Sequence, residues 1–440
     1  MAKDTELNSF KAAVQNNDLP AVEKALESEA VRNEINNGIF DYGRLALLEA
    51  TSPEMVDLLL EGGANIETVT QFWANGFWLE NIPVAVSQHL IGKGAEPTIH
   101  TAAALGLADI VSGLLSKDTS LVSAPGGDGA TALHFARTVE VANVLLDYDA
   151  NLDAWDDDHR STPAQWRIKF SPQVAKLLLG RGAAPDLFLA AALGDLALAN
   201  RVIEMDPKSV TYRIGNNSGP FPGIGFEGRG GTMLQWQLGF NLAPQEIAWK
   251  RGHHDAYELM MATTPAKHQL LIACMLANRD LANSLLSAHP GLIDDFDDED
   301  RQLLAKACWE TNNETEAIRL MLDCAFPVGI PEYNHGYLPL HNAAWCGNSE
   351  VVRLLISHGH PIDELDPEHH ASAAKWAIIS ATQARCYPDV NYGGVIKALM
   401  EAGMQDLTQL YPTGHPDIDV ILEEAIDKPE QGVDQDNEGE

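Results

Sequence analysis

Glu54-Met-Val-Asp-Leu-Leu-Leu-Glu-Gly-Gly-Ala-Asn-Ile66 returns in altered form as Gln173-Val-Ala-Lys-Leu-Leu-Leu-Gly-Arg-Gly-Ala183 and as Glu350-Val-Val-Arg-Leu-Leu-Ile-Ser-His-Gly-His360. In each copy apolar residues fall at i, i+3 and i+4, the spacing that lines one face of a helix. A glycine follows where that helix must stop, because it enters the left-handed conformation without a Cβ clash. One phrase recurring along a chain predicts a repeated unit, and a unit with apolar residues on two faces is stable only when stacked on its neighbours.

A shorter helix precedes the phrase, marked by Thr131-Ala-Leu-His-Phe-Ala136, Thr162-Pro-Ala-Gln-Trp166 and Leu338-Pro-Leu-His-Asn-Ala-Ala344. Threonine caps a helix, proline fits its first turn, and alanine lets two helices approach closely. These residues resemble the ankyrin-repeat consensus T-P-L-H-x-A, specifically near residues 44–67, 128–153, 159–186 and 336–364. The resemblance implies an all-α, ankyrin-like solenoid, and periodicity extends it over most of the chain.

The Leu-Leu positions fall near Leu59, Leu90, Leu115, Leu145, Leu178, Val202, Met260, Leu285, Met321, Leu355 and Leu399, which predicts about eleven helical hairpins. Their spacing departs from the family's period of about 33. Where Gly94-Ala-Glu-Pro97 runs into Ala102-Ala-Ala-Leu-Gly106, and Gly182-Ala-Ala-Pro185 into Ala190-Ala-Ala-Leu-Gly194, no room remains for a β-hairpin finger. A third such junction is expected at Thr264-Pro265, so the fingers are short or missing. The organisation read from this pattern is an N-terminal array over 5–211, a Gly-rich irregular insertion over 212–231, a C-terminal array over 232–426, and an acidic disordered tail over 427–440.

Composition narrows the partners. Of 440 residues, 63 are acidic and 29 basic, for a formal charge of −34, so the average surface repels nucleic acid and anionic lipid and suits a basic protein or peptide. Adaptation to a saline habitat explains the same charge. Five cysteines without a C-x-x-C pair read as free thiols in a reducing compartment. The N-terminal residues lack a basic stretch followed by an apolar one, and no run of 18 apolar residues occurs, so a cytoplasmic location is expected.

Catalytic motifs are missing from the sequence. Gly223-Ile-Gly-Phe-Glu-Gly228 matches G-x-G-x-x-G, but Asn216-Asn-Ser-Gly-Pro-Phe-Pro222 precedes it where a dinucleotide fold needs a buried strand. His358 and His360 flank a helix-ending glycine in a loop, and none of the compact zinc spacings occurs, so no metal and no cofactor are expected. Cys346 lies five residues after His341 without a cationic setting to activate it.

Aromatic residues carry the better signal. Trp166 and Trp236 follow equivalent motifs and are expected in the core. Trp345 is expected in the concave groove beside Cys346, and Phe72-Trp-Ala-Asn-Gly-Phe-Trp78 either plugs a gap or forms a hot spot through Phe72, Trp73, Phe77 and Trp78. The family binds partners through finger tips and first helices. By that resemblance the partner-binding candidates are Trp155, Asp157, Asp158, His159 and Arg160 in one finger, Tyr333, Asn334, His335 and Tyr337 in another, and Trp345 and Cys346 beside it. The expected function is a non-catalytic protein–protein interaction scaffold. The alternative is an enzyme or small-ligand protein whose pocket is closed by the irregular loops 68–83, 212–231 and 380–393.

Overall fold

The computed structural model describes residues 2–309, 314–332, 336–382, 390–404 and 407–426; the tail expected over 427–440 lies outside them. Among the described residues every regular element is a helix, mostly of one to three turns. The chain forms two compact units, Met1–Ser209 with Phe221–Leu238, and Val210–Pro220 with Gly239–Glu440.

In the first unit seven hairpins follow one another. Ala2–Gln15 pairs with Leu19–Ala25, Ala46–Glu49 with Pro53–Glu61, the single turn Leu79–Asn81 with Val84–Gly92, and Ile99–Leu105 with Ala108–Lys117. Ala132–Phe135 then pairs with Val139–Asp147, Pro163–Arg167 with Pro172–Gly180, and Leu187–Leu193 with Leu196–Met205. The second unit holds five: Pro244–Lys250 with His254–Met261, Ala266–Met275 with Arg279–Ala288, Leu303–Ala307 with Thr315–Asp323, Pro339–Trp345 with Ser349–Ser357, and Ala373–Thr382 with Tyr392–Glu401. Pro416–Ile426 packs on the last of these. All eleven positions expected from the Leu-Leu spacing lie in second helices. The additional hairpin is the N-terminal one, whose second helix has neither the Leu-Leu pair nor the closing glycine.

Local chemistry explains why these short segments are helical. Ser52 caps its helix by accepting from Met55 N at 3.2 Å, with Pro53 in the first turn. Thr162 and Gln165 form a reciprocal cap, Gln165 Oε1 accepting from Thr162 N at 3.0 Å. Gly63, Gly182 and Gly359 take φ of 96°, 103° and 87° just beyond their second helices, as the phrase predicts. Helices this short are marginal alone. Packing holds them: Leu59, Leu145, Leu178 and Leu355 are fully buried, each stabilising the stack by about 1.5–3 kcal/mol.

The connections divide into two kinds. After Gly92, Gly180 and Met261 the next first helix begins within a few residues, so the three finger-less junctions stand where spacing placed them. At three other places in the first unit the finger shrinks to a two-residue turn. Tyr42–Gly43, Asp128–Gly129 and Glu227–Gly228 each put two successive residues at positive φ, and each turn is closed by a backbone pair, such as Gly126 N to Ala130 O at 2.8 Å.

Candidate binding cleft and its histidine–aspartate cluster

Asp156 organises the finger that precedes Pro163–Arg167. Its carboxylate accepts from the backbone of His159, from Ser161 N at 2.9 Å and from the indole N–H of Trp166 at 3.1 Å. That fixes the four residues between it and Ser161, and with them Asp158 and His159. The motif histidine of the preceding helix, His134, ties the same finger down: its Nδ1 accepts from Thr131 N, so its Nε2 donates to Ala154 O and Ser161 O at 3.1 and 3.2 Å. Burial pushes the His134 imidazole down to about 4, so it stays neutral in this role.

Two other segments of the first unit close on this finger. The turn at Gly127–Gly129 brings Asp128 alongside, Asp157 N donating to Asp128 O at 2.7 Å. Segment 221–231 lies across it as a strap. Gly230 N donates to Asp158 Oδ1 at 2.9 Å, Gly231 O accepts from His159 Nδ1 at 2.9 Å, Arg229 donates to Asp157 O, and Met233 N donates to Ser161 Oγ at 2.8 Å. A Cβ on Gly230 would stand 2.8 Å from the Asp158 carboxylate, so only glycine permits this approach. Gly230, in the stretch expected as an irregular insertion, therefore has a packing reason to be glycine, and the 212–220 portion of that stretch belongs to the second unit.

His159 Nδ1 is thus committed to a carbonyl, and Nε2 faces Asp128 Oδ2 at 3.3 Å and Asp158 Oδ2 at 3.7 Å. The rings of Trp166 and Trp236 meet the imidazole edge-on, with centroids 6.0 and 6.5 Å away. Burial opposes its charge, yet the Asp128 hydrogen bond and the fields of Asp156 and Asp128 prevail and push His159 up to about 9. Burial raises the Asp128 carboxyl above its usual range. Among the described residues, Asp128, Asp158 and His159 are the group whose ligand atoms all lie within 4.8 Å of one another, and so the one that could hold a metal ion.

These three residues stand in the wall of a cleft of about 600 Å³, also lined by Tyr42, Arg44, Thr70, Phe72, Phe77, Asn81, Phe170, Ile224, Gly230, Met233, Trp236 and Gln237. Two of the three irregular loops named in the alternative reading, 68–83 and the 221–231 part of 212–231, contribute to it. Most of loop 380–393 lies outside the described residues.

The candidates taken from sequence separate clearly. Phe72, Phe77, Asp158 and His159 line the cleft; Trp73 and Trp155 are exposed close by in sequence, and Arg160 sits 5.5 Å over the Trp155 ring. Trp78 is buried, its indole donating to Ile66 O at 3.2 Å, and so plugs the array. In the second unit Tyr337 and Cys346 are buried, while Trp345 is half-buried between Trp309, stacked at 6.3 Å, and Trp376, edge-on at 5.2 Å. Tyr333, Asn334 and His335 lie outside the described residues. His358 is exposed and His360 buried, with His360 Nδ1 donating to Pro361 O. Trp236 corrects its expectation: it is 45% exposed where Trp166 is 4%. Trp166 has the buried Asp156 carboxylate to receive its N–H, whereas Trp236 donates to Gly230 O in the strap, which turns its ring to the cleft. Tyr42, Asp128 and Phe170 lay outside the sequence expectation altogether, because Tyr42 and Asp128 join the cleft through a two-residue turn and Phe170 through a helix end.

Stacked two-helix units, some of them tied to the segment that follows by a buried first-helix histidine, as His100 to Ala124 O, His134 to Ser161 O and His341 to Ala371 O, define a helical-hairpin repeat protein. The family model of ankyrin repeats, in three copies, matches residues 270–366, so that stretch of the second unit consists of ankyrin repeats. Among solved structures, the human ASB11 ankyrin repeat domain is similar at 18% identity, over 71% of this chain and 100% of that one, with a TM-score of 0.24. No curated protein matches the chain. No described helix is long and apolar enough to cross a membrane.

Proposed function

We propose that this protein is a non-catalytic binding module whose cleft in the first unit receives a segment of a partner protein carrying a basic side chain. Ankyrin repeats are protein-interaction modules in general, which supplies the class. The observation that carries the reading is the concentration of exposed apolar surface at the cleft: Tyr42 at 76%, Phe170 at 68% and Trp236 at 45% in its lining, with Trp73, at 62%, against the lining ring of Phe72. Isolated exposed rings are ordinary, but a contiguous group around a concave site marks an interaction surface. Asp128 and Asp158 in the wall, and the net charge of −34, select for cationic character, and aromatic faces attract the same charge by about 0.5–2 kcal/mol each.

Convergence of two irregular loops on one cleft also favours a second reading, a small cationic ligand held without a partner protein. Fluorescence anisotropy with labelled basic and acidic peptide pools separates the two. The full chain is expected to retain basic peptides, and Phe170→Ala with Trp236→Ala to weaken retention about tenfold, at about 1.4 kcal/mol per decade. Equal retention of acidic peptides, or an unchanged double variant, would overturn the peptide reading.

A further inference from the structure

Asp128, Asp158 and His159 come from two fingers and are oriented by a third segment, an arrangement more elaborate than an ion pair requires. Two of the three ligating groups have their other polar atom engaged. His159 Nδ1 donates to Gly231 O, Asp158 Oδ1 accepts from Gly230 N, and two indole rings flank the imidazole. Metal-bound histidines are held in this way, with the distal nitrogen hydrogen-bonded so that the other is aimed. The atoms left over, Nε2 and two carboxylate oxygens, point at one another.

Their spacing is informative. Nε2 stands 3.3 and 3.7 Å from the two oxygens, long for a charge-assisted N–H···O bond of about 2.7–2.9 Å. Metal bonds of about 2.0–2.1 Å in a tetrahedral set place neighbouring ligand atoms roughly 3.3–3.5 Å apart. The nitrogen ligand disfavours calcium and magnesium, which prefer oxygen.

We propose that Asp128, Asp158 and His159 form a three-ligand site for a divalent transition-metal ion, zinc being the reference, with its fourth position open to the cleft. Two carboxylates and a neutral imidazole around a dication leave no net charge, and binding releases the Nε2 proton to solvent. The site does not depend on the peptide reading; with the ion bound, selection for a cationic segment falls to the aromatic faces of the cleft and the net charge of −34, no longer to Asp128 and Asp158. It supplies an anchor for any group that enters the cleft, since an open position on zinc takes water or an incoming ligand.

The test uses the full chain, stripped with chelator and titrated with Co²⁺ and Zn²⁺. Cobalt is expected to give the intense visible bands of a four-coordinate ion, zinc to abolish them, and zinc to raise the melting temperature. Asp128→Asn and, separately, His159→Gln are expected to remove one equivalent of bound ion and at least a hundredfold in affinity while keeping the helical circular dichroism. A wild-type chain showing no such cobalt bands overturns the site whatever the variants do. So does retention of the full stoichiometry by both variants, which would place the ion among the other histidines and cysteines.

Discussion

Two fingers of this molecule, one in each unit, are built on the same turn and put to different use. Asp156-Asp-Asp-His-Arg-Ser-Thr-Pro-Ala-Gln-Trp166 and Asp366-Pro-Glu-His-His-Ala-Ser-Ala-Ala-Lys-Trp376 share the aspartate, the histidine three residues on and the tryptophan ten residues on. Asp366 accepts from His369 N at 2.6 Å, Ala371 N at 2.9 Å and the Trp376 indole at 2.9 Å, repeating the three contacts of Asp156. His341 bonds to Ala371 O as His134 does to Ser161 O, and Arg160 and His370 adopt the same left-handed backbone. What differs is the company of the histidine. His159 meets Asp128, Asp158 and the strap carbonyl; His369 lies against the rings of Tyr337 and Trp376, with Tyr337 Oη 2.9 Å from Glu368. The turn is set locally, and the chemistry by what the preceding finger and the strap deliver to it.

The largest effect should come from removing the shared tryptophan. Trp166 and Trp376 are 4% and 7% exposed, and each covers a buried carboxylate. Replacement by alanine leaves a cavity and takes one of three donors from a buried carboxylate, so Trp166→Ala and Trp376→Ala should each cost about 3–5 kcal/mol. Urea unfolding checks this, and a loss below about 1 kcal/mol in either variant would break the equivalence of the two turns.

Acid sharpens the comparison further. Burial alone would raise the Asp366 carboxyl, but the His369 N–H, the Trp376 indole and the Ala371 N–H hold it down at about 2. A carboxylate with a depressed folded pKa stabilises above its unfolded value of about 3.9 and loses that stability as pH falls towards the folded one. Wild type should therefore lose on the order of 1–2 kcal/mol between about pH 4 and 2 that Asp366→Asn, already destabilised at neutral pH, does not lose. Thermal melts across that range measure it; parallel pH curves for the two proteins would assign the acid sensitivity elsewhere.

How much of this was legible in the sequence follows from the range of the forces involved. Leu59, Leu178 and Leu355 announce their helices because helical burial is periodic over a few residues, and Thr162-Pro-Ala-Gln165 announces its cap because the cap is made within four. The finger-less junctions were legible from length alone. His159 and Asp158 were reachable as finger residues, but Asp128 is some thirty residues upstream and the Gly231 carbonyl about seventy downstream. No spacing rule links them, so the cluster appears only when stacking brings the turns together. Trp236 misled for the same reason: its local motif matches that of Trp166, and only the partner of its N–H differs.

The smallest expected effect belongs to Arg160, which lies at the outer edge of the same finger. Its guanidinium is 3.3 Å from Glu227 and sits over the Trp155 ring, with both ion-pair partners about half exposed. Solvent screens such a pair, so Arg160→Ala should change stability by less than about 1 kcal/mol. Its φ of 46° works against the alanine as well, because a non-glycine residue in the left-handed region is strained unless its side chain compensates. Arg160→Gly separates the two contributions: it removes the same ion pair while relieving the backbone. If the glycine variant is at least as stable as wild type and the alanine variant slightly less, the arginine is held there by surface contacts to Glu227 and Trp155. A loss above about 2 kcal/mol in both would mean that the strap over His159 depends on this one contact, which the hydrogen bonds from Gly230, Arg229 and Met233 argue against.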